Sequence, residues 1–93
     1  VTDQEIMAAQ QLLGRTCGVF GEPAGVTGTA GVKKLCEAGK IGKNDTVVSV
    51  VTGNGLKDVA NAIAACGEPI TIPGDMNRLL AAFAEKGVRV EGA

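Results

Sequence analysis

The sequence lacks histidine, tryptophan and tyrosine, and its aromatic residues are two phenylalanines, Phe20 and Phe83. Without histidine, the chain has neither the most common general base nor the most common metal ligand of proteins. Nine basic and ten acidic residues leave a net charge of −1, and neither sign is clustered. Nucleic-acid surfaces need a basic face and usually aromatic platforms for stacking. We therefore expect no metal site and no nucleic-acid partner.

Long apolar runs are also missing, since the longest are a few residues and a bilayer span needs about 20. We therefore expect no membrane association. The three cysteines, Cys17, Cys36 and Cys66, are widely spaced, odd in number and form no C-x-x-C pair. This pattern argues against a disulfide framework and favours a reducing compartment, so the sequence predicts a cytoplasmic protein whose cysteines serve in packing.

The N-terminal residues predict a capped helix. Thr2 and Glu5 have the spacing of a capping box, in which each side chain accepts a hydrogen bond from the other residue's backbone amide. Apolar residues at helical spacing then predict a helix over 3–16, and Gly18 is placed to end it in a left-handed conformation. Gly14, inside this helix, indicates a close approach by another part of the protein.

A second helix is predicted from Pro23 to Ala38, because proline suits the first turn of a helix. Glycines recur every three residues in its first half, at Gly25, Gly28 and Gly31. Such a face accepts either another backbone or ligand, or a tight helix–helix contact. The sequence leaves these alternatives open.

The remainder of the chain predicts an α/β fold. Residues 46–51 form a β-branched run typical of a strand that is covered on both faces in a parallel sheet. The apolar residues that follow, from Leu56 to Ala64, predict a helix that buries Val59 and Ile63 and ends at Gly67. Residues 69–73 predict at best an edge strand, a last helix begins at Asp75, and 88–90 suggest a final short strand.

One good strand cannot make a sheet, so the predicted architecture is incomplete. The fold class that the pattern favours is α/β, a partial parallel sheet with covering helices. We therefore expect the 93 residues to be a piece of a larger protein, and we expect the isolated chain to expose an apolar patch.

Two places carry candidate functional residues. The turn that starts at Thr52 and Gly53 ends the predicted strand and opens a helix, where α/β proteins place ligands. From the residues alone, this turn is either an anion site or an ordinary strand-to-helix connection. Glu22 precedes the glycine-rich helix, where its carboxylate either reaches a nearby cleft or caps its own helix. Lys57 and Asp58 have the position of solvated charges, and no catalytic set of side chains is visible.

The segments Gly18–Ala24, containing Glu-Pro-Ala, and Val50–Asp58, containing Thr-Gly-Asn-Gly-Leu-Lys-Asp, resemble the threonine synthase family. The resemblance covers most of the chain. These are pyridoxal-phosphate enzymes with the fold of tryptophan synthase β, known as fold type II, and they convert O-phosphohomoserine to threonine and phosphate. The resemblance implies that residues 1–93 are a single domain or fragment from the C-terminal part of the cofactor-binding catalytic domain, and that the complete enzyme is a homodimer.

The resemblance also implies roles for individual residues. Thr52 would hydrogen-bond the pyridine nitrogen of pyridoxal phosphate, Gly53 would follow it beside the ring, and Glu22 would border the same cleft. The phosphate loop and the Schiff-base lysine of the family belong to upstream sequence, and Lys57 is not that lysine. The resemblance therefore implies that this chain holds no catalytic residue and is inactive alone.

Three alternatives remain. Two are related enzymes, cysteate synthase and threonine dehydratase, and the third is a free-standing α/β module that binds a ligand or partner without catalysis. Family members commonly carry alanine or small hydroxyl residues where this chain has Gly25 and Gly28, and often histidine where it has Asn54. These departures bear on the substrate more than on the cofactor class.

Overall fold

A computed structural model describes residues 1–90, and the regular secondary structure in that range is helical. Four α-helices and one short 3₁₀ turn follow in chain order. They are α1 (Asp3–Cys17), α2 (Pro23–Glu37), the turn Gly55–Lys57, α3 (Val59–Cys66) and α4 (Met76–Glu85). The predicted helices are thus confirmed to within a few residues, except that a 3₁₀ turn precedes the third.

Helix α1 begins and ends as its sequence predicts. The Glu5 amide donates to Thr2 Oγ1 at 3.2 Å, and the Thr2 amide donates to Glu5 Oε2 at 2.7 Å, which completes the capping box. The hydrogen bond from Thr2 and the nearby Lys34 ammonium hold the pKa of Glu5 below its ordinary value. Gly18 ends the helix with a φ of 67°, which glycine adopts without the steric cost other residues incur.

The core is small and consists mainly of alanine. Helix α1 packs on α2 and, through fewer contacts, on α3. The buried apolar side chains are Ala9, Val26, Ala30, Ala62 and Ala65. Gln10 lies among them as the one buried polar side chain of residues 1–90. Small side chains let the helices approach closely, but they remove little apolar area from water.

The predicted partial parallel sheet does not form within residues 1–90. Residues 46–51 belong to no strand, and the same holds for 69–73 and 88–90. A strand exists only as part of a hydrogen-bonded ladder, and this part of the chain offers 46–51 no parallel neighbour. Val48, in the middle of the run, is consequently 84% exposed.

The face of α3 that the sequence predicts as buried is exposed. Val59 and Ile63 lie on the surface, while the alanines at 62 and 65 are buried in a helix that contacts α1. This prediction is therefore wrong for residues 1–90. Its physical reason is that the described chain contains no element that covers the larger apolar side chains of this helix.

The described chain is more extended than a closed domain. Its radius of gyration is 17.1 Å, whereas a compact domain of this length has about 12 Å. Helix α4 has no buried residue. Large apolar side chains are exposed in the 46–51 run, in α3 and at Met76, and that they form one contiguous patch stays a prediction. Among the helices of residues 1–90, none has the length and apolar character that a membrane crossing requires.

Two glycine substitutions should change stability in opposite directions. A Cβ on Gly21 would lie 2.6 Å from Cγ1 of both Val26 and Val51, so Gly21→Ala should destabilise the protein by about 1–3 kcal/mol through overpacking. A Cβ on Gly14 meets nothing within 4 Å, so the predicted close approach is absent here, and Gly14→Ala should stabilise α1 by up to about 1 kcal/mol.

The measurement is the urea midpoint of the full-length polypeptide that carries this chain. Gly31→Ala is the control for a helical glycine in α2, since its Cβ would also meet open space. Equal shifts for Gly21→Ala and Gly31→Ala would contradict the packing at Gly21.

Candidate functional site

Two segments of the chain cross at the start of α2. The Glu22 amide donates to Gly53 O at 2.9 Å, and the Gly55 amide donates to Phe20 O at 2.9 Å. Gly21 and Asn54 thereby form an isolated antiparallel bridge. We call these crossing segments, residues 20–22 and 52–55, the junction.

The glycine face of α2 receives the backbone that leads into the junction. A Cβ on Gly25 would lie 3.1 Å from Gly53 N and 3.2 Å from both Thr52 N and Thr52 Oγ1. A Cβ on Gly28 would lie 3.2 Å from Ser49 Oγ. The non-helical segment 49–53 therefore lies against this face, with its backbone at Gly25 and a side chain at Gly28, and the alternative of a tight helix–helix contact is wrong at these two positions.

Glu22 is the N-cap residue of α2, but its side chain makes no capping hydrogen bond. Its carboxylate lies directly against Gly53, in the space that a Cβ at that position would fill. Lys57 Nζ lies 3.7 Å from Glu22 Oε1, with 66% of the lysine side chain and 21% of the glutamate side chain exposed. The capping alternative for Glu22 is therefore wrong, and this carboxylate belongs to the junction.

Thr52 is exposed beside this carboxylate. Its hydroxyl makes no hydrogen bond to any of residues 1–90, so its donor and acceptor sites are available to a ligand. The structure thus brings the three predicted site residues, Glu22, Thr52 and Gly53, into one place. Their role toward a cofactor stays a prediction.

The turn after the junction uses its own side chains to satisfy its amides. The Leu56 amide donates to Asn54 Oδ1 at 2.9 Å, and the Asn61 amide donates to Asp58 Oδ1 at 3.3 Å. Amides that bind side chains of the same turn are not free to bind an anion. The geometry therefore favours the ordinary connection over an anion site.

Gln10 is a junction contact that the sequence analysis missed. Its Nε2 donates to Gly21 O at 2.7 Å in a buried hydrogen bond. The available signal is its place in α1, four residues after Ile6 and three before Leu13, on the face where apolar residues are expected. A polar residue on such a face indicates a specific buried partner.

Other candidate groups contribute little. Cys17, Cys36 and Cys66 are all exposed thiols, so their prediction as packing residues is wrong for the described chain. Within residues 1–90, no three residues among Cys, Asp and Glu lie close enough to hold a metal ion. The junction is the place where predicted site residues converge.

Comparison with known proteins assigns the chain to a family. The family described as "Pyridoxal-phosphate dependent enzyme" matches residues 1–53, which is more than half of the chain and ends inside the junction. The chain therefore belongs to the pyridoxal-phosphate dependent enzymes.

Individual relatives are similar over a longer stretch. A threonine synthase of Methanocaldococcus jannaschii is 52% identical over 79 residues, covering 85% of this chain and 20% of the relative. One of Halalkalibacterium halodurans is 47% identical over 81 residues, 86% of this chain and 23% of the relative. One of Bacillus sp. is 54% identical over 65 residues, 70% of this chain and 18% of the relative. The chain thus spans about a fifth of the length of these curated relatives.

Gly53→Ala should displace the Glu22 carboxylate while leaving the fold intact. The new Cβ would overlap the outer atoms of the Glu22 side chain, which can rotate away because they are the far end of a flexible chain. We expect the free energy of unfolding, measured by urea titration, to change by less than about 0.5 kcal/mol. A crystal structure of the full-length variant should show Glu22 moved away from Lys57.

Gly74→Ala is the matched control, because a Cβ there meets nothing within 4 Å. A Glu22 side chain that kept its place beside Gly53 in the Gly53→Ala variant would contradict this geometry.

Proposed function

We propose that the full-length polypeptide carrying this chain is a threonine synthase. It would convert O-phosphohomoserine to L-threonine and phosphate with pyridoxal phosphate, and Thr52, Gly53 and Glu22 would border the cofactor ring. The observation that carries the proposal is the 52% identity to a threonine synthase over 85% of the chain. Because the match covers 79 of the 93 residues, it includes Glu22 and the 52–55 segment wherever in the chain it begins.

The residues at the junction fit the ring of this cofactor. Thr52 is exposed, and its hydroxyl lies close to Gly25, where a Cβ would come within 3.2 Å of Oγ1, so the absence of a side chain at Gly25 leaves room beside the hydroxyl. When bound, pyridoxal phosphate supplies an electron sink that stabilises negative charge on the substrate carbon next to its amino group. Thr52 would donate a hydrogen bond to the ring nitrogen, which orients the ring.

A neutral hydroxyl has a specific consequence in this position. Unlike a carboxylate, it does not hold the ring nitrogen in its protonated form, so Thr52 would leave the cofactor a milder electron sink. The backbone of Thr52 lies close to Gly25, since a Cβ there would be 3.2 Å from Thr52 N, and it is joined to α2 through the neighbouring Gly53 carbonyl. The hydroxyl would therefore be attached to a backbone that is itself held in position.

Glu22 would place a negative charge at the edge of the same cleft. Its carboxylate lies against Gly53, one residue from Thr52, and Lys57 is its charged neighbour. Because Lys57 is largely exposed, water screens the pair, and the ion pair directs the carboxylate more than it stabilises the fold. The Glu22 amide and side chain both contact Gly53, so this residue would fix the turn beside the ring.

The remaining catalytic parts would come from elsewhere in the full-length polypeptide. Lys57 pairs with Glu22 and stands in water, which is not the apolar setting that activates a lysine for covalent chemistry. We propose that the Schiff-base lysine and the phosphate loop lie in the part of the enzyme that this chain does not span, and that the 93 residues alone are inactive.

The missing sheet fits the same proposal. The exposed valines of 46–51 would enter a parallel sheet of the catalytic domain, which gives that segment the ladder partners it lacks here. Residues 1–93 would thus be one part of the cofactor-binding domain of a fold-type II enzyme. Consistent with the resemblance, the complete enzyme would be a cytoplasmic homodimer that binds a small phosphorylated amino acid.

The reaction itself separates this proposal from related enzymes. The full-length protein, loaded with pyridoxal phosphate, should release inorganic phosphate and threonine in equal amounts from O-phosphohomoserine. A threonine dehydratase would instead form a keto acid and ammonia from threonine, and a cysteate synthase would need a sulfur nucleophile. Absence of phosphate release, with cofactor bound, would overturn the threonine synthase assignment and leave the family membership intact.

Thr52→Ala should lower kcat of the full-length enzyme by about tenfold, the value of one hydrogen bond to the ring, and shift the absorbance of the bound cofactor. Thermal unfolding should change little, because the hydroxyl has no partner among residues 1–90. Thr71→Ala, an exposed threonine outside the junction, is the control. Wild-type activity and absorbance in Thr52→Ala would refute the proposed ring contact.

A further inference from the structure

The burial of Gln10 lowers the stability of the fold, because it leaves one polar atom of the side chain without a hydrogen bond. The residue is 2% exposed and is one of the two largest fully buried side chains of residues 1–90. Its Nε2 binds Gly21 O at 2.7 Å, while its Oε1 is buried and has no hydrogen-bond partner within the described chain. A buried acceptor without a partner is destabilising, because it has lost its hydrogen bonds to water.

The orientation of this amide is determined by its neighbour. The group that faces it is a carbonyl oxygen, which accepts hydrogen bonds and cannot donate them. Turning the amide over would place two acceptors against each other, so Nε2 must face Gly21. The side chain therefore makes this one hydrogen bond, and its own oxygen is left without a donor within the described chain.

The contact acts on a single peptide unit. Gly21 C=O and Glu22 N–H belong to the same planar peptide bond and point in opposite directions. Gln10 binds the oxygen end of this unit at 2.7 Å, and Gly53 O binds the N–H end at 2.9 Å. Fixing one end of a rigid plane also fixes the other. Gln10 thereby sets the direction of the hydrogen bond that joins Glu22 to Gly53.

We propose that Gln10 is a positioning residue of the cofactor site. It would hold the Gly21–Glu22 peptide so that the Glu22 carboxylate and the Thr52–Gly53 turn keep their places beside the ring, and in this respect the inference rests on the proposed function. The one side-chain hydrogen bond of Gln10 within residues 1–90 goes to Gly21 and not to Thr52. It acts from the buried side of α1 through the peptide that it binds.

The test is Gln10→Met in the full-length polypeptide, because methionine keeps the length of the side chain and removes the donor. Without cofactor, hydrogen exchange at the Glu22 and Gly55 amides should accelerate about tenfold, since both donate across the junction. With cofactor, the dissociation constant of pyridoxal phosphate should rise about tenfold. The absorbance of bound cofactor should shift in the direction seen for Thr52→Ala.

Gln11→Met is the matched control. Gln11 is the next residue of α1, and its side-chain amide also binds a main-chain carbonyl, that of Ala65 in α3. The same substitution there should accelerate exchange around α3 and leave the Glu22 amide and the cofactor absorbance unchanged.

Each outcome bears on the inference. If Gln10→Met accelerated the Ala62 amide of α3 as much as the Glu22 amide, its role would be general stability, and the positioning proposal would be overturned. Unchanged exchange at Glu22 would overturn it as well. Gln10→Leu, which is smaller and fully apolar, repeats the comparison if the methionine variant does not fold. A wild-type protein that fails to bind pyridoxal phosphate would refute the proposed function, while the exchange data still decide what Gln10 does at the junction.

Discussion

The peptide bond between Gly21 and Glu22 is the constraint on which the candidate site depends. Its carbonyl is held by Gln10 from α1, and its N–H is held by Gly53 from the 52–55 segment. Two parts of the chain more than 30 residues apart in sequence are joined there without a sheet between them. Because the peptide is rigid, the two bonds act as one link, and the side chain of Glu22 leaves that link toward Gly53.

The glycines at positions 21 and 25 let α2 and the incoming backbone come close enough for these hydrogen bonds to form. Gly21 and Gly25 stand where α2 meets the incoming backbone, and a Cβ at either would press on Val51 or on Thr52. The threonine synthase resemblance implies alanine or a small hydroxyl residue at position 25, where this chain has a glycine and the backbone comes close to α2. This close approach determines the position of the Thr52 hydroxyl, which therefore depends on α2 as much as on the 52–55 segment.

Local signals in the sequence predicted local structure well. The capping box at Thr2 fixed the start of α1, Pro23 fixed the start of α2, and the grouping of Glu22 with Thr52 and Gly53 followed from the resemblance and agrees with the geometry. The two largest errors share one physical cause. The strand at 46–51 and the buried face of α3 both depend on elements that residues 1–90 do not contain. A hydrophobic pattern indicates that a face is buried, but it does not indicate which element buries it. Gln10 was missed for a different reason, because a hydrogen bond to a main-chain carbonyl leaves no mark in the sequence of the acceptor.

The energetics of the chain follow from the same division. Its core consists largely of alanines, which bury little apolar area, while its valines at 47, 48 and 50 remain in water. Hydrophobic burial, the main favourable term in folding, is therefore mostly unrealised within these residues, and the junction is held by hydrogen bonds and close glycine contacts instead. In a full-length enzyme, covering the valines would add that missing term on the segment that leads directly into Thr52. Formation of the sheet would then also position the Thr52 hydroxyl, because residues 46–51, which would form the strand, lead directly into Thr52.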